Sequence, residues 1–175
     1  GAVSVWVALS ERYGRLPFEA LFDAAIHYAE HGFMVGPKTA ALWQHLPESF
    51  SPNAAFVEHF LPAPLIGQRV RRPDAARTLR LIAASHGEAF YHGELAEQME
   101  RAALTEGGAL RASDLAAHTA EWVEPVQQRY RDVVVHEIPP NGQGLAALIA
   151  LGILEYFDPP ALDSVDSVHV QIEAM

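Results

Sequence analysis

The residues best suited to catalysis by type and spacing are His27, Glu30 and His31, which form the pattern H-x-x-E-H. On a helix the two imidazoles would share one face and could hold a zinc ion, with Glu30 as the general base. The apolar residues of the same segment predict instead that the trio faces solvent near the helix end, where a cationic histidine is favourable. We therefore interpret the trio as surface residues, with a zinc hydrolase as the alternative.

Serine and histidine are also neighbours elsewhere, at Ser85-His86 and at Ser167 and His169. Closeness in sequence does not make a catalytic triad, which is defined by spatial geometry and by the role of each group. We predict that these are loop serines and surface histidines. The chain contains no G-x-S-x-G, Walker A or G-x-G-x-x-G motif.

The candidate substrate-binding residues are Asn141, Gly142, Gln143 and Gly144, which lie between a predicted strand and a predicted helix. Glycines at a helix N-terminus leave backbone N–H groups uncovered, and carboxylates and phosphates bind such ends. The alternative is a tight strand-to-helix turn in which glycine supplies an unusual backbone conformation and lets backbones pack closely. We favour this structural interpretation and keep the binding role as the hypothesis to test.

A predicted β-hairpin and a very apolar helix hold this turn in place. The alternation of residues predicts strands over 126–130 and 133–138, with a turn at Arg131-Asp132. The following helix, over 145–157, is apolar on nearly every face and should be buried on all sides. Because the rest of the chain offers too little surface to cover it, we expect the chain to associate with a partner or with itself.

The remainder of the chain is predicted to be helical. Further helices are expected over 2–13, 18–31, 39–45, 53–60, 73–84, 93–105 and 114–118, and from 164 to the end. Gly14 and Gly32 are expected to end the first two of these helices. The fold class is therefore α+β, mostly helical with one β-hairpin. We predict a single partial domain over 1–175, with a helical part over 1–125 and the hairpin plus buried helix over 126–175.

The charge of the chain excludes several function classes. Lys and Arg total 12 against 22 Asp and Glu, for a net charge of −10. This balance argues against a nucleic-acid partner and against binding to an anionic membrane surface.

The absence of cysteine excludes disulfides and thiolate metal sites. No apolar run reaches the roughly 18 residues of a membrane span. The chain begins at Gly1 without Met and ends inside a helical pattern, which predicts a piece of a larger protein.

Several blocks of the sequence, taken in order and with their spacing, resemble the large subunit of the γ-glutamyltranspeptidase (glutathione hydrolase) family. These blocks are GAV at 1–3, ERYGRLPF at 11–18, AIHYAEHGF at 25–33, PDAARTL at 73–79, AFYHG at 89–93, GG at 107–108, DLA at 114–116, and the segment 130–144 that ends in PPNGQG. The resemblance runs along nearly the whole chain.

The resemblance implies an N-terminal nucleophile hydrolase built as a four-layer αββα sandwich. Proenzymes of this family cut themselves into a large and a small subunit. The new N-terminal threonine of the small subunit is the nucleophile, and its own amine is the base. It takes the γ-glutamyl group from glutathione-like donors, and water or an acceptor amino acid then removes that group. The resemblance implies no metal and no cofactor, and an exported protein, periplasmic or secreted.

The catalytic machinery of this family has no counterpart in these residues, so we assign no catalytic residue here. The threonine is expected beyond Met175, and the arginine that holds the substrate carboxylate is expected before Gly1. Arg111 replaces the usual threonine cap of the short helix, and Ser113 is the predicted substitute. The predicted partners are the small subunit and a γ-glutamyl small molecule. The alternatives are an acylase or amidase acting on another amide, or a non-catalytic structural or binding module.

Overall fold

The computed structural model describes residues 1–45, 53–139, 142–158 and 160–175. The chain divides into two compact units, Gly1–Ala120 and Glu121–Met175. In the described part, unit 1 contains helices α1 (Ala2–Tyr13), α2 (Asp23–His31), α3 (Pro37–Gln44), α4 (Ala54–Phe60), α5 (Pro73–Ala84), α6 (Glu88–Tyr91), α7 (Glu94–Thr105) and α8 (Ala112–Ala116), a 3₁₀ helix (Phe18–Phe22), and strands β1 (Phe33–Met34) and β2 (Arg69–Val70). Unit 2 contains strands β3 (Val126–Tyr130) and β4 (Val133–Glu137) and helices α9 (Gly144–Leu154) and α10 (Val165–Ala174).

The core of unit 1 brings together residues that are far apart in the chain. Its buried members are Val3, Phe18, Phe22, Ile82, Ala83, Tyr91 and Leu95. The two phenylalanine rings meet edge to face, with ring centroids 5.0 Å apart. Edge-to-face packing suits the quadrupoles of the two rings. The predicted apolar faces of the early helix and of the helix over 73–84 therefore meet in one cluster.

The amphipathic helix predicted over 18–31 is broken into two pieces. A 3₁₀ helix covers Phe18–Phe22, and α2 begins at Asp23. Because a 3₁₀ helix has three residues per turn, its side chains fall out of phase with the α-helical period. Leu21, one of the apolar residues of this segment, is accordingly 50% exposed. The predicted end of the helix is confirmed, since Gly32 has a positive φ of 91°.

Two further features of unit 1 differ from the sequence prediction. Strands β1 and β2 form an antiparallel pair in which Phe33 faces Val70. This pair was not predicted, because two residues a side are too few to show a period. Ser113 does not cap α8, since it lies inside that helix. Instead, the carboxylate of Asp114 accepts a hydrogen bond of 2.9 Å from the backbone nitrogen of Arg111.

Unit 2 is built around the predicted hairpin, which is confirmed. β3 and β4 are antiparallel, with Val126 opposite Glu137 and Tyr130 opposite Val133. Half-buried and exposed residues alternate along β3, as expected for a sheet with one covered face. At the hairpin turn, Arg131 has a positive φ of 57°.

Helix α9 is shorter than predicted and is only partly covered by this chain. It ends at Leu154 rather than at residue 157. Leu148 and Ala150 are buried, but Ile149 is 56% exposed and Ile153 is 42% exposed. One apolar face of the helix is therefore open.

Among the described residues, no helix is both long and apolar enough to cross a membrane.

Candidate functional site

The strand-to-helix turn follows β4 and leads directly into α9. Asn141 lies outside the described residues. Gly142 is exposed, and among the described residues other than its chain neighbours no atom lies within 4 Å of the position that a Cβ would occupy there. Gln143 is the N-cap of α9, but its side chain makes no capping hydrogen bond. The described residues therefore leave open space around the Cβ position at Gly142.

Glu137, the last residue of β4, lies against the beginning of α9. A Cβ at Gly144 would overlap the carboxylate of Glu137, whose carbon atom Cδ would be only 2.7 Å away. Glycine at this position therefore allows the acidic side chain to approach the helix backbone. A carboxylate near a helix N-terminus is stabilised by the helix dipole. An anionic ligand at this turn would therefore meet a negative charge that the protein itself supplies.

The H-x-x-E-H residues lie on α2, and the structure does not support a zinc hydrolase there. The rings of His27 and His31 stack, with centroids 4.5 Å apart. The carboxylate of Glu30, however, pairs with the guanidinium of Arg80 on α5 rather than with the imidazoles. Within residues 1–45, 53–139, 142–158 and 160–175, no group of three or more His, Cys, Asp or Glu side chains could hold a metal ion. The described residues thus do not form a three-ligand zinc centre with Glu30 as its base.

The serine–histidine neighbours of the sequence have structural roles. The hydroxyl of Ser85 donates to the carbonyl of Leu81 at 2.6 Å and accepts from the backbone nitrogen of Ala89 at 3.0 Å. The imidazole of His86 lies 3.4 Å from a carboxylate oxygen of Glu11. Both Ser85 contacts are of the kind that holds a helix end together. Neither residue is placed as a nucleophile or as its base.

Ser167 and His169 both lie on helix α10, two positions apart, so their side chains do not face each other. Ser167 is buried at 9% exposure, and its hydroxyl contacts the side-chain amide of Gln171 at 3.1 Å. Its backbone nitrogen donates to the hydroxyl of Ser164, which caps the helix. The prediction of a loop serine is therefore wrong for Ser167, which lies inside α10 and is buried. Its contacts are those of a structural residue, and His169 is at the surface as predicted.

A serine–histidine pair that the sequence did not reveal joins Ser4 and His118. The serine Oγ lies 2.9 Å from Nε2 of the histidine, although 114 residues separate them. The same hydroxyl donates its proton to the carbonyl oxygen of Gly1 at 2.7 Å, so it cannot also donate to the histidine. Nε2 of His118 must therefore donate to Oγ rather than accept from it. The pair lines a cavity of about 250 Å³ in unit 1 but contains no activated nucleophile.

A family model described as Gamma-glutamyltranspeptidase matches residues 1–175. The glutathione hydrolase-like YwrD proenzyme of Bacillus subtilis is 32% identical over 180 residues, which cover 100% of this chain and 34% of that protein. The chain spans about a third of the length of the curated relatives it matches.

Two solved structures show the same fold. A cephalosporin acylase from Bacillus halodurans has a TM-score of 0.91 and 43% identity, covering 99% of this chain and 34% of its own. A gamma-glutamyltranspeptidase from Pseudomonas nitroreducens, complexed with L-DON, has a TM-score of 0.90 and 27% identity, covering 99% of this chain and 53% of its own. The predicted α+β fold, mostly helical with a hairpin, is confirmed by these likenesses.

Proposed function

This chain belongs to the gamma-glutamyltranspeptidase family, and on that premise we propose that it is part of the large subunit of a self-processing N-terminal nucleophile hydrolase. The observation that carries the proposal is the family match over residues 1–175, together with relatives that are named as proenzymes. The small subunit of the same proenzyme is the proposed partner. Its N-terminal threonine is the proposed nucleophile.

The proposed reaction is transfer of an acyl group from an amide. The threonine hydroxyl attacks the amide carbonyl, its proton passes through the threonine amine to the leaving nitrogen, and an acyl ester remains on the enzyme. Water or an acceptor amine then attacks the ester and restores the hydroxyl. We propose γ-glutamyl amides of the glutathione type as substrates. This choice is supported by the family description and by the name of the Bacillus subtilis relative.

The 175-residue chain should be catalytically inert without the rest of the proenzyme. The serine–histidine pair of Ser4 and His118 supports this, because the serine proton is donated to a backbone carbonyl. The test is release of p-nitroaniline from γ-glutamyl-p-nitroanilide by the chain and by the full-length protein. Turnover by the full-length protein alone is expected. Turnover that remains with the purified chain and scales with its concentration would overturn the proposal of inertness.

An acylase is the second candidate, and the 43% identity to the cephalosporin acylase of Bacillus halodurans favours it. The chemistry is the same, but the acyl group differs. A panel of γ-glutamyl, oxamate and acylated β-lactam amides, assayed on the full-length protein, separates the two candidates by relative kcat/KM. A full-length protein that lacks a downstream threonine and forms no acyl adduct by mass spectrometry would point instead to a non-catalytic module.

We also propose that the turn formed by Asn141, Gly142, Gln143 and Gly144 contributes to substrate binding. The open space at Gly142 supports this role. In the full-length enzyme, Gly142→Ala should raise KM, because the added methyl group occupies that space. Gly36→Ala is the matched control. In the described part of the chain, Gly36 also has no atom other than those of its chain neighbours within 4 Å of its Cβ position, and its φ is −75°. An equal KM for both variants would contradict the role.

A further inference from the structure

We propose that His27 and His31 form a two-histidine site for a divalent transition-metal ion on the surface of α2. The residues lie four positions apart on the helix, so both side chains leave the same face. Their rings are stacked with centroids 4.5 Å apart and planes 21° apart. Both residues are exposed, so an ion has access to them and water can complete its coordination. The proposal is independent of the amide chemistry proposed above.

The hydrogen bond made by His31 selects the form of imidazole that binds metals. Its Nδ1 lies 3.2 Å from the backbone carbonyl oxygen of His27. A carbonyl oxygen can only accept, so Nδ1 of the neutral ring carries the proton and donates it. Nε2 then keeps its lone pair. A histidine whose second nitrogen donates to a carbonyl is the usual arrangement of metal ligands, because this bond fixes the tautomer and orients the ring.

The ring of His27 can turn toward the same ion without disturbing the core. It contacts the ring of His31 and the edge of Tyr28, whose centroid is 5.9 Å away, and the tyrosine is itself 57% exposed. Rotation of the histidine about Cβ–Cγ therefore displaces only solvent-exposed groups. Once one imidazole has bound the ion, the second is held close to it and binds at a high effective concentration.

The charges around the pair are compatible with a cation. Glu30 and Arg80 neutralise each other in an ion pair. The pair also lies in the C-terminal half of α2, which ends at Gly32. The exposed carbonyl groups at a helix C-terminus favour a positive charge. A further cationic residue, Arg69, has its side-chain stem against Gly32, the residue that follows α2.

The ligand set defines the class of ion. Imidazole nitrogens suit Cu²⁺, Ni²⁺ and Zn²⁺, whereas Mg²⁺ and Ca²⁺ require oxygen ligands. By the Irving–Williams order, Cu²⁺ should bind more tightly than Ni²⁺ or Zn²⁺. Among the described residues there is no group of three or more potential ligands, so solvent supplies the remaining positions. The site is thus an open, two-ligand surface chelate rather than a closed structural centre.

The test is calorimetric titration of the 175-residue chain with Cu²⁺ and with Zn²⁺. His31→Gln and His27→Gln should each weaken the strongest site by about tenfold or more, because each removes the intramolecular second ligand. The matched control is His59→Gln. His59 is also exposed, and its Nδ1 lies 2.9 Å from the carbonyl oxygen of Ala55, but it has no histidine four residues earlier. The control variant should bind like the unmodified chain.

A rescue variant tests the spacing itself. Asp23→His in the His31→Gln background places an imidazole four residues before His27, at an exposed position of the same helix. Tight binding of Cu²⁺ and Zn²⁺ should return in this variant. Unchanged affinity in His31→Gln, or an equal loss in His59→Gln, would overturn the proposal. Because every substituted side chain is exposed, far-UV circular dichroism should show unchanged helix content. Electron paramagnetic resonance of the Cu²⁺ complex gives a second readout, with two coordinated nitrogens expected only when the pair is intact.

Discussion

The hydroxyl of Tyr91 accepts a hydrogen bond of 3.0 Å from the backbone nitrogen of Ser4, which precedes it by 87 residues. Ser4 lies in the first turn of α1, where backbone N–H groups have no partner within the helix. The tyrosine, which is only 8% exposed, therefore joins the beginning of α1 to the core of unit 1. Its ring also stacks on His118, with centroids 5.2 Å apart.

Tyr91→Phe should destabilise unit 1 by about 1 to 2 kcal/mol, because it leaves a partly buried N–H without its acceptor while the ring packing is retained. The measurement is urea unfolding followed by circular dichroism. Tyr28→Phe is the matched control, since the side chain of Tyr28 is 57% exposed. Equal midpoints for the two variants would show that the bond from Ser4 contributes no stability.

Gly87→Ala should destabilise unit 1 for two separable reasons. Gly87 has a positive φ of 86°, and a Cβ there would lie 2.9 Å from Cγ2 of Val7 on α1. Gly107→Ala is the matched control, because Gly107 has a φ of 73° but, its chain neighbours aside, no atom of the described residues lies within 4 Å of its Cβ position. We expect a loss of about 1 kcal/mol for the control and about 2 to 3 kcal/mol for Gly87→Ala, the difference being the clash with α1. If thermal or urea unfolding shows similar losses of stability for the two variants, the clash with α1 contributes nothing.

Glu155→Ala should weaken the hairpin turn of unit 2. A carboxylate oxygen of Glu155 accepts a hydrogen bond of 2.8 Å from the backbone nitrogen of Arg131. Arg131 is the turn residue with the unfavourable φ of 57°. Loss of the bond should cost about 1 kcal/mol. Faster amide hydrogen exchange at residues 130–133 is the local readout. The control is Glu173→Ala, which removes an exposed carboxylate of α10 in the same unit.

The exposed face of α9 should cause the isolated chain to associate. Ile149 and Ile153 are 56% and 42% exposed, whereas Leu148 is 5% exposed. Large exposed apolar patches mark contact surfaces. The double variant Ile149→Lys/Ile153→Lys should be more monomeric by light scattering and bind less hydrophobic dye. Leu148→Ala should instead lower the unfolding midpoint by creating a cavity. Unchanged association in the lysine variant would place the contact surface elsewhere.

Local patterns in the sequence were sufficient to predict most elements of the fold. The alternation over 126–138 predicted the hairpin, and Gly14 and Gly32 predicted the ends of the first helices. These signals depend on backbone conformation and on burial of one face, both of which are local properties. The β1–β2 pair was missed because its register depends on residues 33 and 70 meeting in space. The break of the helix at Phe22 was missed because the 3₁₀ piece carries the same apolar residues as an α-helix would.

What the sequence by itself determined is the family, since the order and spacing of its blocks along residues 1–175 identify a γ-glutamyltranspeptidase relative. It also singled out His27, Glu30 and His31, because spacing on a helix decides which side chains share a face. Only the tertiary structure separated their roles, by placing Arg80 of α5 against Glu30 and leaving the two imidazoles together. Long-range contacts such as this pair are set by packing between elements, and a local pattern does not encode them.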